Sequence, residues 1–100
     1  MEIEEKSEGR TLALSFYGEM DHRGAQGALR RVELAVDAAL PLTLALDFSG
    51  VTFMDSSGIA LILRARQKMR RLNGSVVLRN VPGQAKRVLD AAGISRFVAT

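Results

Sequence analysis

The sequence predicts an α/β fold, with a mixed β-sheet of four to five strands and helices packed on it as a single-layer sandwich. Two patterns within the 100 residues predict it. Apolar and polar residues alternate in segments that fit half-buried strands, and between them apolar residues recur at three- and four-residue spacing, as in amphipathic helices. Since helices separate the later strands, we expect parallel pairing with right-handed crossovers. No linker, repeat or low-complexity segment interrupts residues 1–100, so a single domain is predicted.

The N-terminal segment predicts a β-hairpin. Ile3 stands among glutamates, and Glu8-Gly9 is suited to turn the chain. Large apolar residues then alternate with small or polar ones over residues 12–16, as in a strand with one buried face. Gly18 is expected to end this second strand.

A helix and a third strand follow the hairpin. Asp21 is a residue type that caps helix N-termini, and apolar residues at helical spacing extend this helix to just before Pro41. Alternation returns over residues 44–48 in a strand that is expected to stop at Ser49-Gly50. The next four residues, 51–54, are then a short apolar connection.

The second half of the chain predicts two more helices. Residues 56–72 form the first of them, with an Asn-Gly pair as its stop signal. Residues 76–78 form a strand, and a third helix runs from Pro82 to a glycine at position 93. The apolar residues within 94–98 predict a short edge strand at the end of the chain.

Composition excludes several classes of protein. With no cysteine and one histidine, His22, the chain has neither a disulfide scaffold nor enough ligands for an ordinary zinc site, and we expect no metal and no cofactor. The longest strictly apolar run, residues 59–63, is far too short to span a membrane. The acidic N-terminus differs from a secretory signal. We therefore expect a cytoplasmic protein without membrane insertion.

The net charge of +3 is unevenly distributed. Residues 1–50 contain five basic and nine acidic side chains, whereas residues 51–100 contain nine basic and two acidic ones. Much of this excess lies in the predicted second helix, between Arg64 and Arg71. A solvated helix face and a surface for an acidic partner both explain it. Direct nucleic-acid binding is not expected, because no aromatic residue is interleaved and no recognition motif is present.

The most informative segment is Asp55-Ser56-Ser57-Gly58. It follows a predicted strand and opens a helix, which is where open α/β sheets place ligand and partner sites. Helix N-termini stabilise negative groups, so the domain would tolerate a phosphate on Ser57. The simpler interpretation is that Asp55 or Ser56 only caps the helix.

The apolar residues after this segment allow two interpretations. Residues 59–63 are apolar on every side of the helix, more than one amphipathic stripe needs. Either the first turns are buried between the sheet and neighbouring helices, or some of residues 59–62 surface beside Ser57 as a partner-binding patch.

Three segments together resemble the STAS domain, and are most similar to the anti-sigma factor antagonists of bacteria. They are Gly18-Glu-Met-Asp-His22, Leu46-Asp-Phe-Ser-Gly-Val-Thr-Phe-Met-Asp-Ser-Ser-Gly58 and Asn73-Gly-Ser-Val-Val77. The similarity extends in register from about residue 10 to Phe97. The methionine at position 20 replaces the leucine usual in the family.

The resemblance implies a STAS fold and a regulatory protein that is not an enzyme. In this family the unphosphorylated antagonist binds an anti-sigma factor with serine kinase activity, and the sigma factor is released. The kinase then phosphorylates the second serine of the motif, here Ser57 rather than Ser56, and a PP2C-type phosphatase restores binding. The implied partner-binding residues are Asp21, Asp55, Ser56, Ser57, Gly58, Ile59, Leu61 and Ile62.

The resemblance leaves other roles open. STAS domains also act as accessory subunits of lipid or anion transporters, and as scaffold components in stress-signalling complexes. The intact Asp-Ser-Ser-Gly motif favours the antagonist. The role of Asp21 has two explanations of equal weight, because it is suited both to contact a partner and to cap the first helix.

Overall fold

A computed structural model describes all residues, 1–100, as four strands, three α-helices and one short 3₁₀ helix. In chain order these are β1 (Glu2–Glu8), β2 (Thr11–Met20), α1 (His22–Ala39), β3 (Thr43–Met54), α2 (Ser56–Arg71), β4 (Ser75–Arg79), α3 (Gly83–Ala91) and the 3₁₀ helix Ile94–Arg96.

The four strands form one mixed sheet in the order β1-β2-β3-β4. β1 and β2 are antiparallel, as the predicted hairpin requires, while β2, β3 and β4 are parallel and joined by helices. The predicted α/β class with a four-stranded mixed sheet is therefore confirmed.

One face of the sheet carries the core. Leu14, Leu46 and Leu78 lie side by side on β2, β3 and β4, and each is almost fully buried. Apolar residues of all three helices join them in one cluster of 24 buried residues. On the opposite face the corresponding row has smaller side chains, such as Ala13 and Ala45. None of the helices combines the length and the apolar character that crossing a bilayer requires.

β3 is longer than predicted, and the prediction that it stops at Ser49-Gly50 is wrong. The strand continues to Met54, and β2 continues past Gly18 to Met20. Two register shifts, each with an extra residue in β3, explain the error, because a β-bulge interrupts the period-two pattern while pairing resumes beyond it. At Gly50 a Cβ atom would lie 2.8 Å from the carbonyl oxygen of Phe16, so glycine permits this close approach.

The predicted edge strand at 94–98 is also wrong in part. Ile94 and Val98 turn into the core, so residues 94–96 form a 3₁₀ helix instead. Only Ala99 reaches the sheet, where it bridges Val77 in parallel and its oxygen accepts a hydrogen bond from Leu78 N–H at 2.8 Å.

Asp47 supports the first bulge of β3. Its carboxylate accepts hydrogen bonds from Ser49 N–H at 2.9 Å and from Asn80 Nδ2 at 3.0 Å. Partial burial raises the pKa of this carboxyl group, but these bonds and the charge of Arg79 outweigh burial, so its pKa lies below the usual 3.8.

Acid should weaken the fold through Asp47. Because its pKa is lower in the folded than in the unfolded chain, its ionised form contributes stability above about pH 4, which is lost as the pH falls through the lower folded value. In urea unfolding at pH 6 and at several values down to about pH 2, the gap in free energy of unfolding between the wild type and Asp47→Asn should narrow. A gap that stays constant with pH would contradict this role.

Candidate functional site

The site forms where two parallel strands end side by side. Met20, the last residue of β2, is paired with Met54, the last residue of β3. Each strand is followed by one aspartate and then by a helix, so α1 and α2 begin next to each other. Asp55 N–H donates to the Met20 carbonyl at 3.3 Å and ties the two strand ends together.

Both aspartates cap the helices that follow them. Asp21 Oδ1 accepts a hydrogen bond from Gly24 N–H at 2.8 Å, and Asp55 Oδ1 accepts one from Ser57 N–H at 2.8 Å. Each carboxylate thus satisfies one of the free N–H groups of a helix N-terminus and interacts favourably with its dipole. Both aspartates therefore act as helix caps, and both remain partly exposed.

The three residues after Asp55 differ in exposure. The side chain of Ser56 is exposed, that of Ser57 is half-buried, and Gly58 is buried. A Cβ atom on Gly58 would lie 2.7 Å from Met54 Cγ, so the glycine lets α2 begin close against the end of β3. No side chain forms a hydrogen bond with the hydroxyl of Ser56 or Ser57.

Leu61 and Ile62 do not belong to a surface patch, which corrects their prediction as partner-binding residues. Leu61 is 1% exposed and Ile62 is fully buried. They lie on the same stripe of α2 as Ala65 and Met69, and this stripe faces the core. Ile59 is half-buried against the core and Ala60 is exposed, so these two residues keep part of the predicted apolar patch at the surface.

Gln84 holds the end of β3, a role that no feature of the sequence indicates. Its Oε1 accepts a hydrogen bond from Met54 N–H at 2.8 Å, and its Nε2 donates to the Met54 carbonyl at 2.8 Å. An amide side chain has both groups at the spacing of a strand partner. Through this pair of bonds α3 fixes the residue directly before Asp55.

Ser57 and Asp21 border different depressions. Ser57 lines a groove of about 160 Å³ between α1 and α2, together with the polar side chains of His22, Gln26 and Arg64. Asp21 lines a wider groove of about 770 Å³ beside β1, β2 and α1. The structure thus brings His22 and Arg64, which the sequence did not connect with Ser57, to the same groove as Ser57.

The basic residues of α2 are divided between internal contacts and free surface. Lys68 pairs with Asp37 of α1 at 2.8 Å, and Arg66 lies over the Phe97 ring at 5.3 Å from its centre. The other three arginines of this stretch, Arg64, Arg70 and Arg71, are exposed and form no ion pair or side-chain hydrogen bond.

No base forms a hydrogen bond with Ser57, and no group of three or more His, Asp or Glu side chains is arranged to hold a metal ion. What the site offers is a surface with two carboxylates, two hydroxyl groups and the starts of two helices.

Comparison with known proteins connects this geometry to a family. The sequence profile of the STAS domain matches residues 2–100. The anti-sigma F factor antagonist of Lysinibacillus sphaericus is 25% identical over 88 residues, which is 88% of this chain and 75% of that protein. That of Paenibacillus polymyxa is 24% identical over 98 residues, or 98% of this chain and 84% of that protein. The anti-sigma factor antagonist SpoIIAA, solved in its unphosphorylated form, has the same fold, with a TM-score of 0.83 and 22% identity over 97% of this chain and 85% of that one.

Removal of the Gln84 side chain should destabilise the domain. Gln84→Ala leaves Met54 N–H and C=O without their partners, which we expect to cost roughly 1–3 kcal/mol in the free energy of unfolding, measured with urea. Gln67→Ala, an exposed position in α2, is the matched control and should cost less than about 0.5 kcal/mol. Equal costs for the two variants would show that the Met54 bonds contribute nothing.

Proposed function

The chain belongs to the STAS domain family, and we propose that it is an anti-sigma factor antagonist. In this proposal its unphosphorylated form binds an anti-sigma factor with serine kinase activity, and a sigma factor is released. Phosphorylation of Ser57 by that kinase switches binding off, and a PP2C-type phosphatase restores it. The exchange takes place in the cytoplasm, without direct contact with nucleic acid or insertion into a membrane. The two relatives described above support the proposal, since both are named anti-sigma F factor antagonists.

The position of Ser57 is the observation that carries the proposal. The serine lies in the first turn of α2, half-exposed, and its hydroxyl has no partner within the protein. Its N–H is already satisfied by Asp55. A phosphate there replaces no internal contact, so it can act on the protein that docks at this surface without disturbing the fold.

We define the docking surface as Asp21, Asp55, Ser56, Ser57 and Ile59. It already contains two carboxylates at the starts of two helices. A phosphate on Ser57 adds about two negative charges to it. A partner that packs against the neutral hydroxyl would then have to bury this added charge beside two carboxylates, which is strongly unfavourable.

The phosphorylation switch makes a direct prediction for Ser57. Incubated with ATP and the anti-sigma factor kinase of its own cell, the wild type should gain one phosphate by intact-mass measurement, and Ser57→Ala should gain none. Ser57→Asp should weaken binding to the same kinase by roughly tenfold or more, measured by calorimetry. Its melting temperature should stay within a few degrees of the wild type, because surface substitutions usually cost little.

The chain offers two controls for this experiment. Ser75→Asp adds the same charge at an exposed position at the start of β4, the opposite end of the parallel strands, and should bind like the wild type. Phosphate found on Ser56 would move the switch by one residue. The absence of phosphate on either serine would overturn the proposal.

The two roles of Asp21 can be separated by one substitution. Asp21→Asn keeps a side-chain oxygen for the Gly24 N–H and therefore the helix cap, but it removes the charge. If Asp21 contacts the partner through its charge, binding should weaken by about threefold to tenfold while the melting temperature is unchanged. If Asp21→Asn binds the partner as tightly as the wild type, the role of Asp21 is to cap α1.

A further inference from the structure

We propose that the groove between α1 and α2 receives the phosphoryl group of phosphorylated Ser57, with Arg64 as its main partner and His22 as its second. The inference rests on the proposed modification of Ser57 and adds to it an acceptor site within the protein itself. Phosphorylation would then stabilise the domain by linking its first two helices, besides acting on the partner.

The composition of the groove favours an anion. It is lined by one arginine, one histidine and one glutamine, and by no carboxylate. The other lining side chains, apart from Ser57, are apolar: Ala25, Leu29, Ala60 and Leu61. The hydrogen bonds that an arginine donates to a phosphate are charge-assisted and therefore stronger than those between neutral groups.

Arg64 lies at the right distance along the helix. Ser57 and Arg64 are seven residues apart, on the same face of α2 and about 10 Å apart along the axis. Side chains on a helix lean toward its N-terminus, which directs the long arginine side chain toward the turn that carries Ser57. Both Ser57 and Arg64 line the groove, so a phosphoryl group that turns into it approaches the guanidinium group.

Arg64 is also available for this role. Unlike Lys68, which pairs with Asp37, and Arg66, which is held by Phe97, Arg64 forms no ion pair or hydrogen bond. A guanidinium group presents two parallel N–H donors that match two phosphate oxygens. No internal contact has to break before it can bind the phosphate.

Asp55 restricts the direction in which the phosphate lies. Its carboxylate already accepts the Ser57 N–H at 2.8 Å, so the phosphoryl group has no access to that donor. Repulsion between two negative groups at short range disfavours the side of Asp55. The opposite side of Ser57 faces the groove, where His22, the first residue of α1, and Arg64 are located.

The test uses phosphoserine incorporated genetically in place of Ser57, so that no kinase is needed. The melting temperature is measured at low salt for the wild type and for Arg64→Ala, each with and without phosphoserine. In the wild type the phosphate should raise it by about 4 °C or more. In Arg64→Ala this rise should fall by roughly half or more, the remainder being due to the helix dipole.

Arg71→Ala is the matched control, because it removes an exposed, unpaired arginine from the far end of the same helix. This variant should keep the full rise. A rise of equal size in the wild type and Arg64→Ala would overturn the inference, and so would an equal loss in Arg71→Ala, since that would indicate only a general effect of net charge.

Nitrogen-detected NMR of the arginine side chains gives a second measurement that does not depend on stability. On phosphorylation the Arg64 Nε–H resonance should shift while that of Arg71 stays in place, and an unchanged Arg64 resonance would also overturn the inference. These experiments use the isolated protein. Failure of partner binding in the Ser57 variants and failure of the Arg64 coupling are therefore distinguishable.

Discussion

The pairing of β2 with β3 is the interaction on which the rest of this structure depends. It places Met20 and Met54 level with each other, although β3 uses two more residues than β2 to reach that point. The two bulges absorb the difference. Without the bulges, Met20 and Met54 would not lie opposite each other. A slip of one residue in the pairing would also turn the apolar side chains of β3 away from the core. The two aspartate caps are adjacent, and Ser57 lines the groove between α1 and α2, because the helices leave the sheet at the same height.

The sequence predicts those features that depend on a few neighbouring residues. The alternation of apolar residues in β2 and the aspartates at positions 21 and 55 carry their information locally, so the strands, the caps and the position of Ser57 could be predicted. β3 could not be delimited, since Ser49-Gly50 is typical of a strand end and only the pairing with Tyr17 shows that it is a bulge. Likewise, nothing beside Gln84 in the sequence indicates that it holds Met54.

Contacts within the fold use some of the charged residues that make the two halves of the chain differ in net charge. The acidic first half and the basic second half meet where α1 packs against α2, and the pair of Asp37 and Lys68 spans that boundary. Arg66 contacts the C-terminal segment, where its Nε donates a hydrogen bond to the Phe97 carbonyl at 3.0 Å. The remaining cations of α2 are therefore fewer than the sequence suggests. One of them, Arg64, lies in the middle of the helix and two lie in its last turn, so they do not form the continuous patch that nucleic-acid binding favours.

The order of the strands has a consequence for how the domain folds. Each strand is paired with its neighbour in the chain, so every sheet contact closes a loop that is no longer than one helix and its two turns. Short loops close at lower entropic cost than long ones, so the sheet can assemble in the order of the chain. During synthesis on the ribosome, each strand of the sheet is followed by its next partner after one turn or one helix. The same topology allows the unit to fold by itself within a longer polypeptide.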